Sequence, residues 1–300
     1  MNIVFMGTPD FALPSLQAVY ESHHKVVAVV TGVDKERGRG QKISFTPIKQ
    51  FATEKEISVL QPESLKDESF VNQLKQFEAD IFIVVAFRIL PKEVFTIPKI
   101  GSFNLHGSLL PMYRGAAPIQ WALINGDKET GVTTFFLQEK VDTGNMILQE
   151  KLPILDEDNF GTLHDKMSLL GSQVVIKTLG LIESGKVVIQ KQDDSLASPA
   201  PKITKETCLI DWNKLAEQIH NLVRGLSPYP AAFFNFNGKH YKLYKTSINK
   251  ELKLNPGQIH QTKTQAVVGC KDFAINILEI QPEGRKRMTI EEFLRGYRLG

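Results

Sequence analysis

The sequence predicts an α/β fold, a doubly wound and mostly parallel sheet, followed by a smaller β-barrel or sandwich. Three observations carry that prediction. Over residues 1–187, continuously apolar strand-like runs alternate with segments of helical spacing. Such alternation implies right-handed crossovers between parallel strands that helices cover on both faces. Over residues 188–205 the composition turns to Ser, Pro, Lys and Asp, as in a linker. Beyond one further helix, short strands separated by turns such as Asn237-Gly238 fill the remainder. A chain of 300 residues is expected to hold two domains, here 1–187 and 206–300.

Each element has its own local reason. Residues 2–6 read as a buried strand. Gly7-Thr8-Pro9-Asp10 turns the chain into a helix over 11–20, with Pro14 in the first turn, where its missing N–H costs little. A β-branched run over 25–31 is the second strand. A polar, Gly-rich loop is expected over 34–42, a helix over 47–55, a short strand over 57–60 and a helix over 67–77. Residues 79–87 form the most apolar strand of the chain, and 101–106 the next. A helix over 116–125 is stopped by Gly126. Strands over 132–138 and 146–152 flank the turn Asp142-Thr143-Gly144, and a long helix covers 162–184. After the linker, a helix over 212–223 precedes strands at 232–236, 241–247, 258–260, 266–269 and 273–281.

Composition excludes several classes. Hydrophobic residues make up 42% and charged residues 23%, as in an ordinary soluble globular protein. No apolar run approaches the roughly 20 residues that span a bilayer. The start, Met1-Asn2-Ile3-Val4-Phe5, lacks a basic n-region and a small-residue cleavage site, so no secretion signal is read. Cys208 and Cys270 belong to no CxxC pattern, and reduced thiols in a cytoplasmic protein are expected. The net charge of +3 is unevenly placed: residues 206–300 carry 14 Lys and Arg against 9 Asp and Glu. A basic second domain suits a polyanionic partner.

Two phosphate-binding motifs are approached and missed. Gly7-Thr8-Pro9 follows the first strand, but GxGxxG is absent, so a plain strand-to-helix turn is expected. Gly180 to Lys186 spells GxxxxGK, yet Val187 replaces the Ser or Thr that would hold magnesium, and the glycines end a helix instead of opening one. The seven His residues show no metal-ligand spacing with Cys or acids, so no metal is expected. Asp34-Lys35-Glu36-Arg37-Gly38-Arg39-Gly40-Gln41-Lys42 is the densest mixed-charge segment. It reads either as a solvated loop or as a basic finger for phosphates. Arg285-Lys286-Arg287 is a second basic cluster.

The chemistry concentrates in Asn104-Leu105-His106-Gly107-Ser108-Leu109-Leu110-Pro111. Asn104 and His106 are two apart on a predicted strand, so both face the same side. Asp142 follows 36 residues after His106, beyond a helix and another strand, a separation that allows return to the same sheet edge. An amide, an imidazole and a carboxylate suit acyl transfer: a polariser for a carbonyl oxygen, a proton carrier and an acid to orient that carrier. They fall at the carboxyl end of a strand, where open α/β sheets bind ligands.

Residues Phe103 through Ile119, with Ser108-Leu109-Leu110-Pro111-Met112-Tyr113-Arg114-Gly115-Ala116-Ala117-Pro118 at their centre, resemble the folate-dependent formyltransferases. Gly7-Thr8-Pro9-Asp10-Phe11-Ala12, Gly131 through Asp142-Thr143-Gly144, and Arg224-Gly225-Leu226-Ser227-Pro228-Tyr229-Pro230-Ala231 agree as well, so the likeness covers nearly the whole chain. The resemblance implies a Rossmann-like catalytic domain and an OB-like barrel that contacts tRNA. It implies transfer of a formyl group from 10-formyltetrahydrofolate to the α-amino group of methionine on initiator tRNA; the chain is expected to act as a monomer. By the same resemblance Asn104, His106 and Asp142 are the catalytic trio. Phe87, Ile89, Leu90, Ser108, Leu109, Leu110 and Pro111 meet the folate, and Arg39 with Lys42 reach the tRNA. Two departures stand out: Phe87-Arg88-Ile89-Leu90-Pro91 is one residue short of the family's pattern, and Asn145 replaces the last Asp of Asp-Thr-Gly-Asp. Relatives with the same chemistry formylate small amines such as amino-sugar nucleotides or glycinamide ribonucleotide. The basic segment at 34–42 and the basic second domain favour tRNA. A catalytically silent nucleic-acid binder would not need the intact trio.

Overall fold

The structure is a computed structural model that describes residues 1–37 and 42–299. In chain order it contains β1 (Asn2–Gly7), a 3-10 turn (Asp10–Ala12), α1 (Leu13–Glu21), β2 (Lys25–Val30), β3 (Lys35–Arg37), β4 (Lys42–Ser44), α2 (Pro47–Glu54), β5 (Ser58–Leu60) and α3 (Glu68–Gln76). Then come β6 (Ile81–Val85), α4 (Lys92–Phe95), β7 (Gly101–His106), β8 (Arg114–Gly115), α5 (Pro118–Asn125), β9 (Glu129–Phe136), β10 (Met146–Pro153) and α6 (Phe160–Glu183). The rest is a 3-10 turn (Asp194–Leu196), β11 (Pro199–Ala200), α7 (Ala216–Leu226), β12 (Ala232–Phe236), β13 (Lys239–Asn249), β14 (Ile259–Gln261), β15 (Ala266–Gly269), β16 (Ala274–Pro282), β17 (Met288–Thr289) and α8 (Ile290–Gly296).

Seven strands form one sheet in the order β10-β9-β7-β6-β1-β2-β5. β1 pairs in parallel with β2 and β6, and β6 with β7. β9 runs antiparallel to β7, with Asn104 opposite Phe135 and His106 opposite Thr133. The expected doubly wound, mostly parallel sheet is therefore present. All five residues of β6 are buried, as helices on both faces require. On one face Val4, Met6, Phe82 and Val84 pack with Phe70 and Leu74 of α3.

By compactness the chain divides into two units. The first is Met1–Gly115, Gly131–Leu152 and Asp165–Pro199; the second is Ala116–Thr130, Pro153–His164 and Ala200–Gly300. The second unit holds an antiparallel, curled sheet of half-barrel type, ordered β12-β13-β16-β15-β14, with β17 on β16. Its core gathers Ile219, Val223 and Leu226 of α7 with Phe234, Tyr241, Leu243 and Ile280 of the sheet. Cys208 and Cys270 are free and buried there, and burial pushes the Cys270 thiol up to about 12.

Three local differences from the expectation have physical causes. The helix expected over 212–223 starts at Ala216 instead, because the Asp211 side chain accepts the Asn213 N–H at 3.0 Å and holds a turn. The expected loop over 34–42 is bounded by a strand pair, β3 and β4, with Lys35 opposite Ser44 and Arg37 opposite Lys42. A charged run carries little strand propensity, so composition conceals such pairing. Helix α8 was not expected, although Thr289 and Glu292 form a capping box at its start.

Candidate active site

Strand β7 places two of the three residues. Asn104 is half-buried and His106 is its buried last residue, both directed to the same face. His106 is locked from two sides. Its Nε2 lies 2.8 Å from the Tyr113 carbonyl oxygen, and its ring meets Phe135 edge-on at 6.5 Å between centroids. A carbonyl only accepts, so Nε2 carries the hydrogen and donates it, which leaves Nδ1 as the nitrogen able to exchange a proton. Nδ1 faces Asp142 Oδ2 at 4.0 Å, too long for a direct hydrogen bond. The amide of Asn104 makes no hydrogen bond among the described residues.

Asp142 reaches this place because the segment after β9 folds back along it: the Phe136 N–H donates to the Asn145 carbonyl at 3.0 Å. Its backbone is left-handed, with φ +54°, a region uncommon for residues with a Cβ but accessible to Asp. The Gly115 N–H donates to its Oδ2 at 2.9 Å. The fold thus brings Asp142 to His106, with Asn104 two residues earlier on the same face of β7.

The other expected contacts distribute unevenly. Ser108 is fully buried, and its hydroxyl donates to the Met112 carbonyl at 2.6 Å. Leu110 packs inward on Phe135 and Met146. Thr133 and Gln149 hold this segment: the Leu110 N–H donates to Thr133 Oγ1 at 3.1 Å, and Gln149 Nε2 donates to the Leu110 carbonyl at 2.7 Å. Leu109 and Pro111 stay half-buried. In the shortened segment Leu90 joins the core, Phe87 is half-buried, and Ile89 is 73% exposed. Arg88 turns away, donating to the carbonyls of Pro62 and Glu63. Arg39 lies outside the described residues. Lys42 opens β4, one strand of the pair at the base of the basic segment. Near that base Lys49 and Gln61 bond Asp34 and hold its carboxyl below the usual carboxylate range.

Sequence reasoning missed two kinds of residue. Gln192, in a polar run with no obvious chemistry, and Arg114, quoted within the resembling segment but given no role, make contacts around Asp142. His23, His24 and Glu183 come together although nothing in their spacing shows it: His23 Nε2 lies 2.9 Å from Glu183 Oε2. Their ligand-capable atoms all lie within 4.8 Å of one another.

An amide and an imidazole on one strand face, with a carboxylate 4.0 Å from the imidazole, are groups that can serve acyl transfer. The chain belongs to the formyl transferase family: it matches Formyl transferase over residues 1–179 and Formyl transferase, C-terminal domain, over residues 202–298. It is 46% identical over 302 residues to the methionyl-tRNA formyltransferase of Caldanaerobacter subterraneus, covering 100% of this chain and 98% of that protein. It is 47% identical over 310 residues to the methionyl-tRNA formyltransferase of Bacteroides fragilis, covering 100% of this chain and 96% of that protein. Among solved structures, the methionyl-tRNA formyltransferase from Clostridium thermocellum superimposes with a TM-score of 0.57 at 18% identity, over 84% of this chain and 95% of that one. The sugar 3N-formyl transferase WlaRD, in the presence of dTDP and 5-N-formyl-THF, gives a TM-score of 0.70 at 20% identity, over 95% and 99%. Both likenesses are of fold.

Proposed function

We propose that this chain transfers the formyl group of 10-formyltetrahydrofolate to the α-amino group of methionyl-initiator tRNA, in the cytoplasm, at the start of translation. The observation that carries the reading is the meeting of His106 Nδ1 with the Asp142 carboxylate at 4.0 Å, with the uncommitted Asn104 amide two residues before His106 on the same face. Near-full-length likeness to relatives named methionyl-tRNA formyltransferase supplies the acceptor.

The donor set fits an acyl donor, because Asn104 offers an N–H that no group among the described residues consumes. The folate, when bound, supplies an activated formyl group. Phe87, Ile89, Leu109 and Pro111, the half-buried or exposed members of the expected wall, are the side chains available to hold it; Ser108 and Leu110 act by shaping the backbone. In the reaction a C–N bond forms between the formyl carbon and the methionyl amine, and the bond to folate N10 breaks. The amine loses one proton and N10 gains one. Asn104 donates to the formyl oxygen as negative charge develops there. His106, with Nε2–H tied to Tyr113, uses Nδ1 to accept the proton leaving the amine and return it. Asp142 stabilises the imidazolium that results.

Chemistry falls to residues 1–187 and contact with the tRNA to residues 206–300, helped by the basic segment with Arg39 and Lys42; separate family matches over 1–179 and 202–298 support such a division. Residues 188–205 connect the two in sequence. The deciding experiment offers purified protein 10-formyltetrahydrofolate together with methionyl-initiator tRNA, an amino-sugar nucleotide or glycinamide ribonucleotide. Formylmethionyl-tRNA is the expected product. Formylation of a small amine with none of the tRNA would overturn the reading.

A further inference from the structure

Residues 188–205 look like a polar connector, and Gln192 sits among Lys, Asp and Ser. Yet Gln192 is only 5% exposed. A primary amide goes inside at a cost unless its groups find partners. Its Nε2 donates to the carbonyl oxygens of Asp142 at 2.9 Å and Gly144 at 2.8 Å. Its Oε1 accepts from Arg114 Nε at 3.1 Å and Nη2 at 2.7 Å. The donors therefore embrace both sides of Thr143, in a turn whose first residue has the left-handed φ of +54°. Such a conformation persists only where its surroundings determine it.

Arg114 is fixed in turn. Its backbone N–H donates to the Ser198 carbonyl at 2.9 Å, and its Nη2 also donates to Asp194 Oδ1 at 2.7 Å. Its neighbours serve the same site: the Tyr113 carbonyl accepts from His106, and the Gly115 N–H donates to the Asp142 carboxylate. Three consecutive residues thus hold the imidazole, the Gln192 amide and the carboxylate. We propose that Gln192, oriented by the Arg114 guanidinium, is a positioning residue that fixes the Asp142–Gly144 turn so that the carboxylate faces His106. The inference rests on the catalytic reading of Asp142. Gln192 lies behind the turn, bonded to its backbone, and acts through Asp142.

Steady-state kinetics of Gln192→Leu and Gln192→Glu test it. Leu keeps the bulk and loses both donors. Glu keeps an acceptor for Arg114 but has no N–H for the two carbonyls. Displacement of a reacting group by about 1 Å costs up to about 10²-fold in rate. Both variants should lose about 10- to 100-fold in kcat, with KM for folate and for tRNA within about twofold of wild type. Arg114→Lys keeps the charge but not the planar fork, and should show a smaller loss of the same kind. Circular dichroism and thermal melting report folding; should Gln192→Leu not fold, Gln192→Met and Arg114→Lys carry the test. Retention of kcat within about twofold in the folded variants, or a kcat loss matched by the loss of folded protein, overturns the inference. If Asp142→Ala remains active, the catalytic reading itself fails. If Asp142→Ala is inactive while Gln192→Leu turns over normally, only the positioning role fails.

Discussion

At Asn104, a single atom decides what the side chain contributes. Its amide nitrogen is a donor without a partner among the described residues, and an acyl transfer generates negative charge on one oxygen. Asn104→Asp keeps the size and removes the donor, placing a carboxylate where charge of the same sign develops. Removal of one such donor costs about 10²–10³ in rate, roughly 3–4 kcal/mol of transition-state stabilisation. Asn104→Ala and Asn104→Asp should therefore both lower kcat by at least about 10²-fold while melting near the wild-type temperature, since the amide bonds nothing among the described residues. His106→Ala should lower turnover as severely. It also removes a buried ring that packs on Phe135 and bonds Tyr113, so its melting temperature should fall as well. Single-turnover formylation and thermal melting of the three variants separate these effects.

At the scale of elements, close backbone contacts set how far the turn at Asp142 can shift. A Cβ on Gly144 would stand 1.7 Å from the Phe136 carbonyl oxygen, so Gly144→Ala has to move the turn. In α7, a Cβ on Gly225 would stand 2.7 Å from Ile124 Cγ1 and 3.2 Å from the Gln120 carbonyl oxygen of α5. Gly144→Ala is expected to lower turnover sharply. Gly225→Ala should cost about 1–3 kcal/mol by overpacking, read by urea unfolding, and leave the turnover of folded enzyme close to normal. The same contrast explains what was legible in sequence. The apolar run of β6 and the period of two in β7 announced a parallel sheet with Asn104 and His106 on one face. Gly126 closes α5 at φ +78°, as its position promised. The partner of Asp142 was not legible in the same way. Gln192 reaches carbonyls 48 and 50 residues away, and a Gln within a Ser- and Asp-rich run looks like any solvated residue. Non-local hydrogen bonds of that kind leave no periodicity. Asn104, His106 and their flanking Gly and Pro single out β7 in the sequence, while the Gln192 clamp on the Asp142 turn emerges only from three-dimensional pairing.

For the whole molecule, charge and pH matter most. Each phosphate contact contributes close to one unit of slope to log affinity against log salt. Arg39→Ala with Lys42→Ala is therefore expected to weaken methionyl-tRNA binding and flatten that slope by up to about two, leaving folate binding intact; an unchanged slope would remove the basic segment from the tRNA contact. His220 is held below its ordinary value of 6.5, first by burial and then by the nearby Arg224 guanidinium, against smaller opposing pulls from Asp156 and Glu217. Its Nδ1 lies 2.9 Å from Thr246 Oγ1, inside the packing of α7 on β13. Above about pH 6.5 the ring is neutral whether the chain is folded or not, so it adds no pH dependence. Below that value the unfolded chain takes up a proton that the folded protein resists. Stability then falls with pH, by at most about 1.4 kcal/mol per pH unit for one group, until the folded ring also titrates. His220→Gln keeps a polar side chain near Thr246 without the titration. The melting temperature of wild type should drop more steeply than that of His220→Gln between pH 7.5 and pH 5, and parallel curves for the two proteins would show that His220 protonation plays no part in acid unfolding.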